Sequence, residues 1–580
     1  MAESKYRWRN RELREHVEVI DGKRSPTILL KNAVYLHGIL KQWITGNIWI
    51  YKDRIVYAGE KQPEYIDPDC EIVDCSGFYL VPGYIEPHAH PYHLYSPTSF
   101  AYYASKHGTT VLINDNLPLI LNFDKKKAFS MLDSLKALPA SLYWWARYDG
   151  QSEFQNKETI FTNSDVKSWI KHDSVVQGGE LTGWPALLDG DDLKLYWIQE
   201  TKRRNKKVEG HLPGASEKTL AKLKLLGVDA DHEAMTGEEI LARLMQGYMV
   251  TLRYSSIRPD LPDILDQLKE LNVMAYDHFM LTTDGSPPGF YEEGVIDVLI
   301  KIAIEKGVPP VDAYLMATYV PAKHYSLQHL HGLIATGRVA DINFLVSKEN
   351  PKPVSVLAKG RWIKKEHEEF PETFHLPPGD LGFEPLTINW DLTEDDLQFS
   401  MPFGVSLVNS VITKPYSISV DSDRQSLDPD SNENFLLLVN RRGTRRVSTV
   451  LKGFANIGGL ASSFTYSGDI LLIGKDKQDL ITAFKRLKEI NGGIVVVENG
   501  KIIYELPLPY LGMMSGEPFE QLIKEEKEFR GLMRERGYSF EDPVYTLLFF
   551  TSTHLPYIRV TSVGVFDVMQ KRVLFPSIMR

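Results

Sequence analysis

Two histidines separated by one residue, His88 and His90, follow an apolar run and the turn Pro82-Gly83. If residues 85–90 are extended, both side chains project from the same face of the strand. Imidazole is the commonest metal-binding side chain, so this pair predicts one half of a metal site. For the pair taken alone, the alternative interpretation is two surface or core-edge histidines.

Other ionisable residues also follow short strand-like runs further along the chain. These residues are Glu180, His211, His232 and Asp284. Four imidazoles and two carboxylates suit Zn, Mn or Fe, and six ligands exceed what one tetrahedral site needs. We therefore expect two metals bridged by Glu180 and a hydroxide, with Asp284 as general base. The alternative for Asp284 is a turn residue in Thr283-Asp284-Gly285.

The elements that must position these residues are strands that alternate with helical stretches between 82 and 337. Repeated strand–helix units predict a parallel sheet, and this many of them favour a TIM (β/α)8 barrel. Active sites of such barrels lie at the carboxyl ends of the strands. The common placement of the six residues at predicted strand ends is therefore a stronger signal than any single position.

The rest of the chain divides into further predicted units. Residues 1–25 form a charged N-terminal extension, and 26–81 together with 338–365 form a small β-sandwich domain interrupted by the barrel. Residues 366–398, which are rich in Pro, Glu and Asp, indicate a linker. Residues 399–580 mix strands with an amphipathic helix at 477–490 and indicate a separate α+β domain.

Composition excludes several classes of protein. The 580 residues carry a formal net charge of -10, which argues against bulk affinity for nucleic acid or an anionic membrane. Cys70 and Cys75 are too few for a disulfide scaffold, so a cytoplasmic location is expected. We find no apolar signal-peptide core and no uninterrupted apolar segment long enough to span a bilayer.

Several motifs together resemble the adenine deaminase family of the amidohydrolase superfamily. Residues 82–90 are similar to the family's opening motif, and Gly179-Glu180 to its bridging glutamate. Further matches are Glu209 to Gly214 for Gly-His-x-Pro-Gly, Asp231-His232-Glu233 for Asp-His-Glu, Thr282-Thr283-Asp284 for Thr-Asp-Asp, and 337–341 for the exit from the barrel. In the last domain, 459–463, 491–493 and 506–509 also have counterparts in the family.

The resemblance implies hydrolytic deamination of adenine to hypoxanthine and ammonia, with attack of a metal-bound hydroxide on C6. It implies a binuclear divalent metal centre, with manganese first and iron or zinc as alternatives. A small purine is the implied partner, and a homodimer is compatible with the superfamily. Glu233 is a candidate for the acid that protonates the leaving amine or for a contact to a ring nitrogen; a helix N-terminal carboxylate is the alternative.

Three departures from the family pattern leave the substrate open. Asp115-Asn116-Leu117-Pro118 stands where the family has Asp-Pro-His-Glu, and Arg253-Tyr254-Ser255-Ser256 replaces Arg-Glu-Gly-Ser. Residues 466–469 replace a C-terminal His-Asp-Ser-His-Asn. A hydrolase of cyclic amides, or of another purine or a pterin, is therefore an alternative, although Glu180 occupies the position where cyclic-amide hydrolases want a lysine. A non-catalytic binding protein on a decayed barrel is the second alternative.

Overall fold

The computed structural model describes residues 8–153, 157–366, 368–370, 377–399 and 401–580. The predicted N-terminal extension and linker lie partly outside the described residues. One nine-stranded sheet combines strands from both sides of the barrel in sequence, because the strand that leads into the barrel pairs with the strand that leaves it. Its strands are β1 (Ile28–His37), β2 (Gln42–Tyr51), β3 (Arg54–Gly59), β4 (Glu71–Asp74), β5 (Tyr79–Pro82), β14 (Ile342–Leu345), β15 (Ser355–Ala358), β16 (Arg361–Lys365) and β17 (Glu368–Glu369).

Eight parallel strands form the central sheet, each paired with the next along the chain. They are β6 (Tyr84–Ala89), β7 (Thr109–Asn114), β8 (Ser141–Ala146), β9 (Val175–Leu181), β10 (Lys207–Gly210), β11 (Ala230–Asp231), β12 (Met249–Arg253) and β13 (Phe279–Thr282). Nearly all of their residues are buried, as expected when helices cover the outside and side chains fill the inside. The predicted (β/α)8 barrel is confirmed.

The first and last barrel strands meet through the buried carboxyl group of Glu86. It accepts hydrogen bonds from the Thr282 hydroxyl at 2.6 Å and from the Thr283 amide at 2.9 Å. The Thr283 hydroxyl adds a third hydrogen bond at 2.7 Å. Because His88 lies two residues after Glu86 and Asp284 one residue after Thr283, this contact brings the two ends of the barrel's site together.

Helices surround the barrel and the sheets. They are α1 (Asn10–Ile20), α2 (Pro97–Lys106), α3 (Leu117–Asn122), α4 (Lys125–Leu135), α5 (Lys157–Ile160), α6 (Asn163–Lys171), α7 (Trp184–Leu188), α8 (Asp192–Lys202), α9 (Glu217–Leu225), α10 (Gly237–Met245), α11 (Leu261–Glu270), α12 (Ile296–Glu305), α13 (Pro310–Met316), α14 (Tyr319–His324), α15 (Lys477–Glu489), α16 (Phe519–Glu535) and α17 (Pro543–Phe549), with 3-10 turns at Tyr276–His278, Pro288–Glu293 and Glu394–Leu397. Among the described residues, none of these helices is both long and apolar enough to cross a bilayer.

The C-terminal part is α+β, with a nine-stranded sheet and a three-stranded sheet. The larger sheet contains β18 (Phe403–Leu407), β19 (Thr413–Ser417), β20 (Glu433–Val439), β21 (Arg445–Lys452), β22 (Gly459–Ser462), β23 (Ile470–Gly474), β24 (Gly493–Glu498), β25 (Lys501–Pro507) and β29 (Ile578–Met579), and the smaller one β26 (Ile558–Thr561), β27 (Gly564–Asp567) and β28 (Arg572–Pro576). Leu386 and Ile388, from the predicted linker, pack into the core beside α15. The domain limits predicted from the sequence remain predictions.

Candidate active site

The structure brings the six residues predicted from the sequence as metal ligands together at the carboxyl ends of the barrel strands. Three overlapping groups each offer ligand atoms that lie within 4.8 Å of one another. The groups are His88, His90 and Glu180; His88, His232 and Asp284; and Glu180, His211 and His232. Because Glu180 and His88 each belong to two groups, the six side chains form one continuous cluster rather than two separate sites.

A glycine pair positions Glu180 at the end of β9. A Cβ atom on Gly178 would lie 1.9 Å from the Tyr148 hydroxyl, and one on Gly179 would lie 2.5 Å from the Glu209 carbonyl. Gly179 also has a φ of +98°, which side-chain-bearing residues rarely adopt. With both glycines in place, Glu180 Oε1 lies 2.6 Å from His211 Nδ1 and Oε2 lies 4.0 Å from His88 Nε2.

Asp284 reaches the opposite side of the cluster from the turn that follows β13. Its Oδ1 lies 3.2 Å from His88 Nε2 and 3.3 Å from His90 Nε2. Its Oδ2 forms an ion pair with Arg253, with 2.6 Å between Oδ2 and Nη1. Burial alone would raise the pKa of Asp284, but Arg253 and the histidines hold it well below the usual range. The carboxylate is therefore ionised at neutral pH.

Two carboxylates lie behind the histidines and orient their rings. His90 Nδ1 is 3.0 Å from Asp115 Oδ2, and His232 Nδ1 is 3.1 Å from Glu209 Oε1. In both rings the other nitrogen, Nε2, faces the cluster, at 3.3 Å from Asp284 for His90 and 3.6 Å from Glu180 for His232. This is the arrangement in which a second carboxylate fixes the tautomer of a metal-binding imidazole.

A fully buried guanidinium, Arg147, connects two parts of the cluster. Arg147 Nε and Nη2 bind Asp115 at 2.8 and 2.6 Å, and Nη2 also lies 3.0 Å from Glu180 Oε2. Burial would raise the pKa of both carboxyl groups, and the charge of Arg147 lowers them below their usual range. Asp115 is thus ionised and holds His90 in one orientation.

Glu233 lies next to His232 and is held by two arginines. Its Oε1 is 2.7 Å from Arg253 Nη1 and 3.4 Å from His232 Nε2, and its Oε2 is 2.9 Å from Arg258 Nη1. Burial would raise the pKa of Glu233, but His211 and the two arginines lower it to about 2. Its carboxylate is therefore an acceptor of hydrogen bonds at neutral pH.

The cluster has the properties of a cation site. Both ring nitrogens of His88 are buried and have no hydrogen-bond partner in the described structure. Leaving buried polar atoms unpaired costs about 1–3 kcal/mol each, so such atoms normally serve a purpose. Four imidazoles and two ionised carboxylates are a donor set that borderline divalent metals prefer. The residues present therefore fit a divalent metal centre.

A cavity of about 240 Å³ opens onto the cluster, and the C-terminal domain forms much of its wall. His90, Glu180, His211, Glu233 and Asp284 lie on the barrel side. The C-terminal side is formed by Val411, Ile412, Tyr466, Tyr545, Phe549, His554, Leu555 and Pro556. A polar floor and a largely apolar roof are typical of a pocket for a flat, partly apolar small molecule.

Sequence reasoning missed several residues of this site. Arg147 follows the end of β8, so the rule that found the other residues could also have found it. His93 also lines the cavity, and its Nδ1 lies 3.3 Å from the Tyr545 hydroxyl. His554 comes from the C-terminal domain, and no local pattern in the sequence points to it.

Comparison with known proteins agrees with this geometry. A model of the amidohydrolase family matches residues 79–363, and a model of the adenine deaminase C-terminal domain matches residues 410–572. Proteins named "Putative adenine deaminase" are similar over the whole of this chain, at 54% identity in Halalkalibacterium halodurans (100% of that protein) and 53% in Bacillus cereus (98% of it). An "Adenine deaminase" of Methanococcoides burtonii is 28% identical over 96% of this chain and 97% of its own.

Among solved structures, the chain is similar to a β-aspartyl dipeptidase of Fervidobacterium islandicum AW-1. The sequence identity is 16%, the TM-score is 0.45, and the match covers 60% of this chain and 99% of that one. The full-length relatives and the two matching domain models decide the assignment. The chain belongs to the adenine deaminase family of the amidohydrolases.

Proposed function

We propose that this chain catalyses the hydrolysis of adenine to hypoxanthine and ammonia. The observation that carries the proposal is the cluster of four histidines and two carboxylates at the floor of the cavity, in a chain of this family. The names of its relatives support adenine as the substrate. The presence of every one of the six residues argues against the alternative of a decayed, non-catalytic barrel.

Membership of the amidohydrolase family implies a divalent metal centre, and the cluster could hold one. We propose that His88, His90, Glu180, His211, His232 and Asp284 hold two ions, with Glu180 between them. Manganese is the first candidate, and iron or zinc would suit the same ligands. A bound pair of such ions would lower the pKa of a water molecule and polarise the electrophilic carbon.

Asp284 is the proposed general base. Its ionised carboxylate accepts the proton that the attacking water loses, and the departing nitrogen leaves as ammonia once it has gained a proton. Arg253 keeps this carboxylate ionised and fixes its direction through the contact to Oδ2, which leaves Oδ1 toward the histidines. General base catalysis of this kind contributes about 10²- to 10⁴-fold to a rate.

Glu233 suits a contact to a ring nitrogen better than the role of an acid. Both arginines that bind it stabilise its charged form, and a carboxylate with a pKa of about 2 holds almost no proton to donate. Its position beside His232 places this acceptor at the edge of the cluster. We propose that it accepts a hydrogen bond from an N–H group of the purine.

The test is an ultraviolet assay of adenine conversion by protein produced with manganese, with metal per chain measured on the same sample. Asp284→Asn should lower kcat by about 10²- to 10⁴-fold, and Glu180→Gln should abolish turnover, because each removes a charge at the reacting centre. Asp189→Asn, whose side chain is 70% exposed on α7's C-terminal side, is the matched control and should retain the wild-type rate. Full activity in either site variant would contradict the assigned roles.

A further inference from the structure

Tyr466 occupies the position where the sequence departs from the family's C-terminal histidine motif. It follows β22, and its backbone amide donates a hydrogen bond to the Leu548 carbonyl of α17 at 2.9 Å. The residue is only 8% exposed. It lines the cavity above the cluster, and it also lines a neighbouring cavity of about 170 Å³. Tyr466 therefore forms, with His90 and His93, part of the wall between the two cavities.

The Tyr466 hydroxyl makes no hydrogen bond to any described residue, whereas the hydroxyls of two other buried tyrosines of the C-terminal domain do. The Tyr545 hydroxyl donates to the Gly285 carbonyl, and the Tyr504 hydroxyl donates to the Glu525 carbonyl at 2.9 Å. Tyr466 lines the cavity, and a tyrosine in such a position can present its polar end to a bound molecule. Tyr466 and Tyr545 are the two hydroxyl-bearing residues of the described cavity lining, so Tyr466 provides its uncommitted hydroxyl.

The surroundings of this hydroxyl keep it protonated. Burial and the negative charges of Asp115, Glu180 and Asp284 raise the pKa of Tyr466 well above its usual value. The group is therefore a neutral hydrogen-bond donor in the wall of the cavity above the cluster. The hydroxyl can donate a hydrogen bond to an acceptor atom of a molecule bound in the cavity.

The ring of Tyr466 belongs to an aromatic wall. It is stacked with Phe549, with ring centroids 5.7 Å apart and an interplanar angle of 20°. The ring of His554 meets both of these rings edge-on, at 6.5 Å from Tyr466 and 5.8 Å from Phe549. Such a packed wall fixes where the Tyr466 hydroxyl can lie, because the ring cannot rotate away without disturbing its neighbours.

We propose that the Tyr466 hydroxyl donates a hydrogen bond to N1, N3 or N7 of the purine and so determines which bases the site accepts. The inference rests on the proposed function and names one specificity residue for it. The acceptors of adenine are the lone pairs of its ring nitrogens, so a neutral hydroxyl with no partner in the protein suits them. Glu233 would accept from one part of the ring and Tyr466 would donate to another.

The experiment compares the wild type with Tyr466→Phe, which removes the hydroxyl and keeps the aromatic ring. The kcat/KM for adenine should fall about tenfold, mostly through KM, with kcat nearly unchanged. Tyr504→Phe is the matched control: it also deletes a buried hydroxyl in the C-terminal domain, but far from the cavity lining, and it should leave both constants unchanged.

Three inhibitors locate the contact. Inhibition constants of 1-deazaadenine, 3-deazaadenine and 7-deazaadenine are measured on both chains, since each analogue lacks one ring nitrogen. Tyr466→Phe should raise the inhibition constants of the two analogues that keep the contacted nitrogen by about tenfold. The inhibition constant of the third analogue should stay unchanged, because that analogue lacks the contacted nitrogen and makes no such hydrogen bond with the wild type.

Two results would overturn the proposal. In the first, Tyr466→Phe leaves all three inhibition constants and kcat/KM unchanged. In the second, it raises all three inhibition constants equally, which would indicate a packing role alone. A wild-type chain that does not deaminate adenine would instead refute the proposed function. Dissociation constants of the same analogues, measured by calorimetry, would then decide the role of Tyr466 by the same pattern.

Discussion

Replacing Asp115 by Asn tests whether the carboxylate behind His90 supports the cluster. Asp115 is 2% exposed and binds three groups: His90 Nδ1 at 3.0 Å, Arg147 Nε at 2.8 Å and Arg147 Nη2 at 2.6 Å. An amide has one acceptor oxygen and no negative charge, so it cannot keep the contacts that both oxygens of the carboxylate make, Oδ2 with His90 and Arg147 and Oδ1 with Arg147. Loss of such a supporting carboxylate typically costs 10- to 100-fold in metal affinity, or about 1.4–2.7 kcal/mol.

The metal-free Asp115→Asn variant should also be less stable than the metal-free wild type. Removing one partner of a buried ion pair costs about 3–5 kcal/mol, and the value here should lie near the lower end because Arg147 keeps Glu180 at 3.0 Å. Metal affinity is measured by titration with a competing chelator, and stability by urea unfolding of the metal-free chain. The two readouts separate a weakened site from a weakened fold.

Asp396→Asn is the matched control for this variant. Asp396 is 6% exposed and is held by two nitrogens of Arg580, at 2.7 and 2.6 Å, but it does not contact a histidine. It should lose some stability and keep its metal affinity. If Asp115→Asn binds metal as tightly as Asp396→Asn does, the proposed role of Asp115 in orienting His90 is refuted.

Three other perturbations probe the fold and the site. Arg559 is 1% exposed with its Nε, Nη1 and Nη2 unpaired in the described structure, so Arg559→Met should leave the unfolding free energy unchanged or raise it in urea titrations. Burial raises the pKa of Glu526 from 4.5 to about 6, so the folded state binds this proton more tightly than the unfolded state does. The free energy of unfolding therefore falls as the pH rises through this range. Relative to Glu526→Gln, the wild type should lose about 2 kcal/mol of unfolding free energy between pH 4 and 7. A Cβ on Gly285, whose φ is +57°, would lie 2.6 Å from His90 Cβ, so Gly285→Ala should reduce turnover, whereas Gly531→Ala meets no atom within 4 Å and should not.

Most of the site residues that the barrel contributes can be predicted from the sequence, because a single rule about strand ends applies to them. Parallel strands of a barrel end at the same face, so a residue just past each strand end must lie near the others. Glu180, His211, His232 and Asp284 were all identified by this rule, and Arg147 and Arg253 obey it as well. Their role was not evident from the sequence, since an arginine at a strand end indicates no particular chemistry until its carboxylate partners are known.

The C-terminal half of the cavity could not be predicted in the same way. Tyr466, Phe549 and His554 come from loops and a short helix whose positions depend on how one domain packs against another. Such contacts join residues separated by hundreds of positions, and no local periodicity records them. Asp469 illustrates the limit: it belongs to the same departure from the family motif as Tyr466, yet it binds the Ser467 hydroxyl and the Arg441 amide.

The contacts of Arg147 explain why Asp115 matters to the site although the family motif after β7 is otherwise replaced. The family's Asp-Pro-His-Glu has become Asp115-Asn116-Leu117-Pro118, yet the aspartate remains, because its carboxylate binds His90 on one side and Arg147 on the other. The same guanidinium reaches Glu180, so the His90 and Glu180 sides of the cluster share one buried cation. A lysine, with a single nitrogen, could not make the paired Nε and Nη2 contacts to Asp115. Asp115 and Glu180 variants should therefore be non-additive in metal affinity, because either change alters the guanidinium on which the other depends.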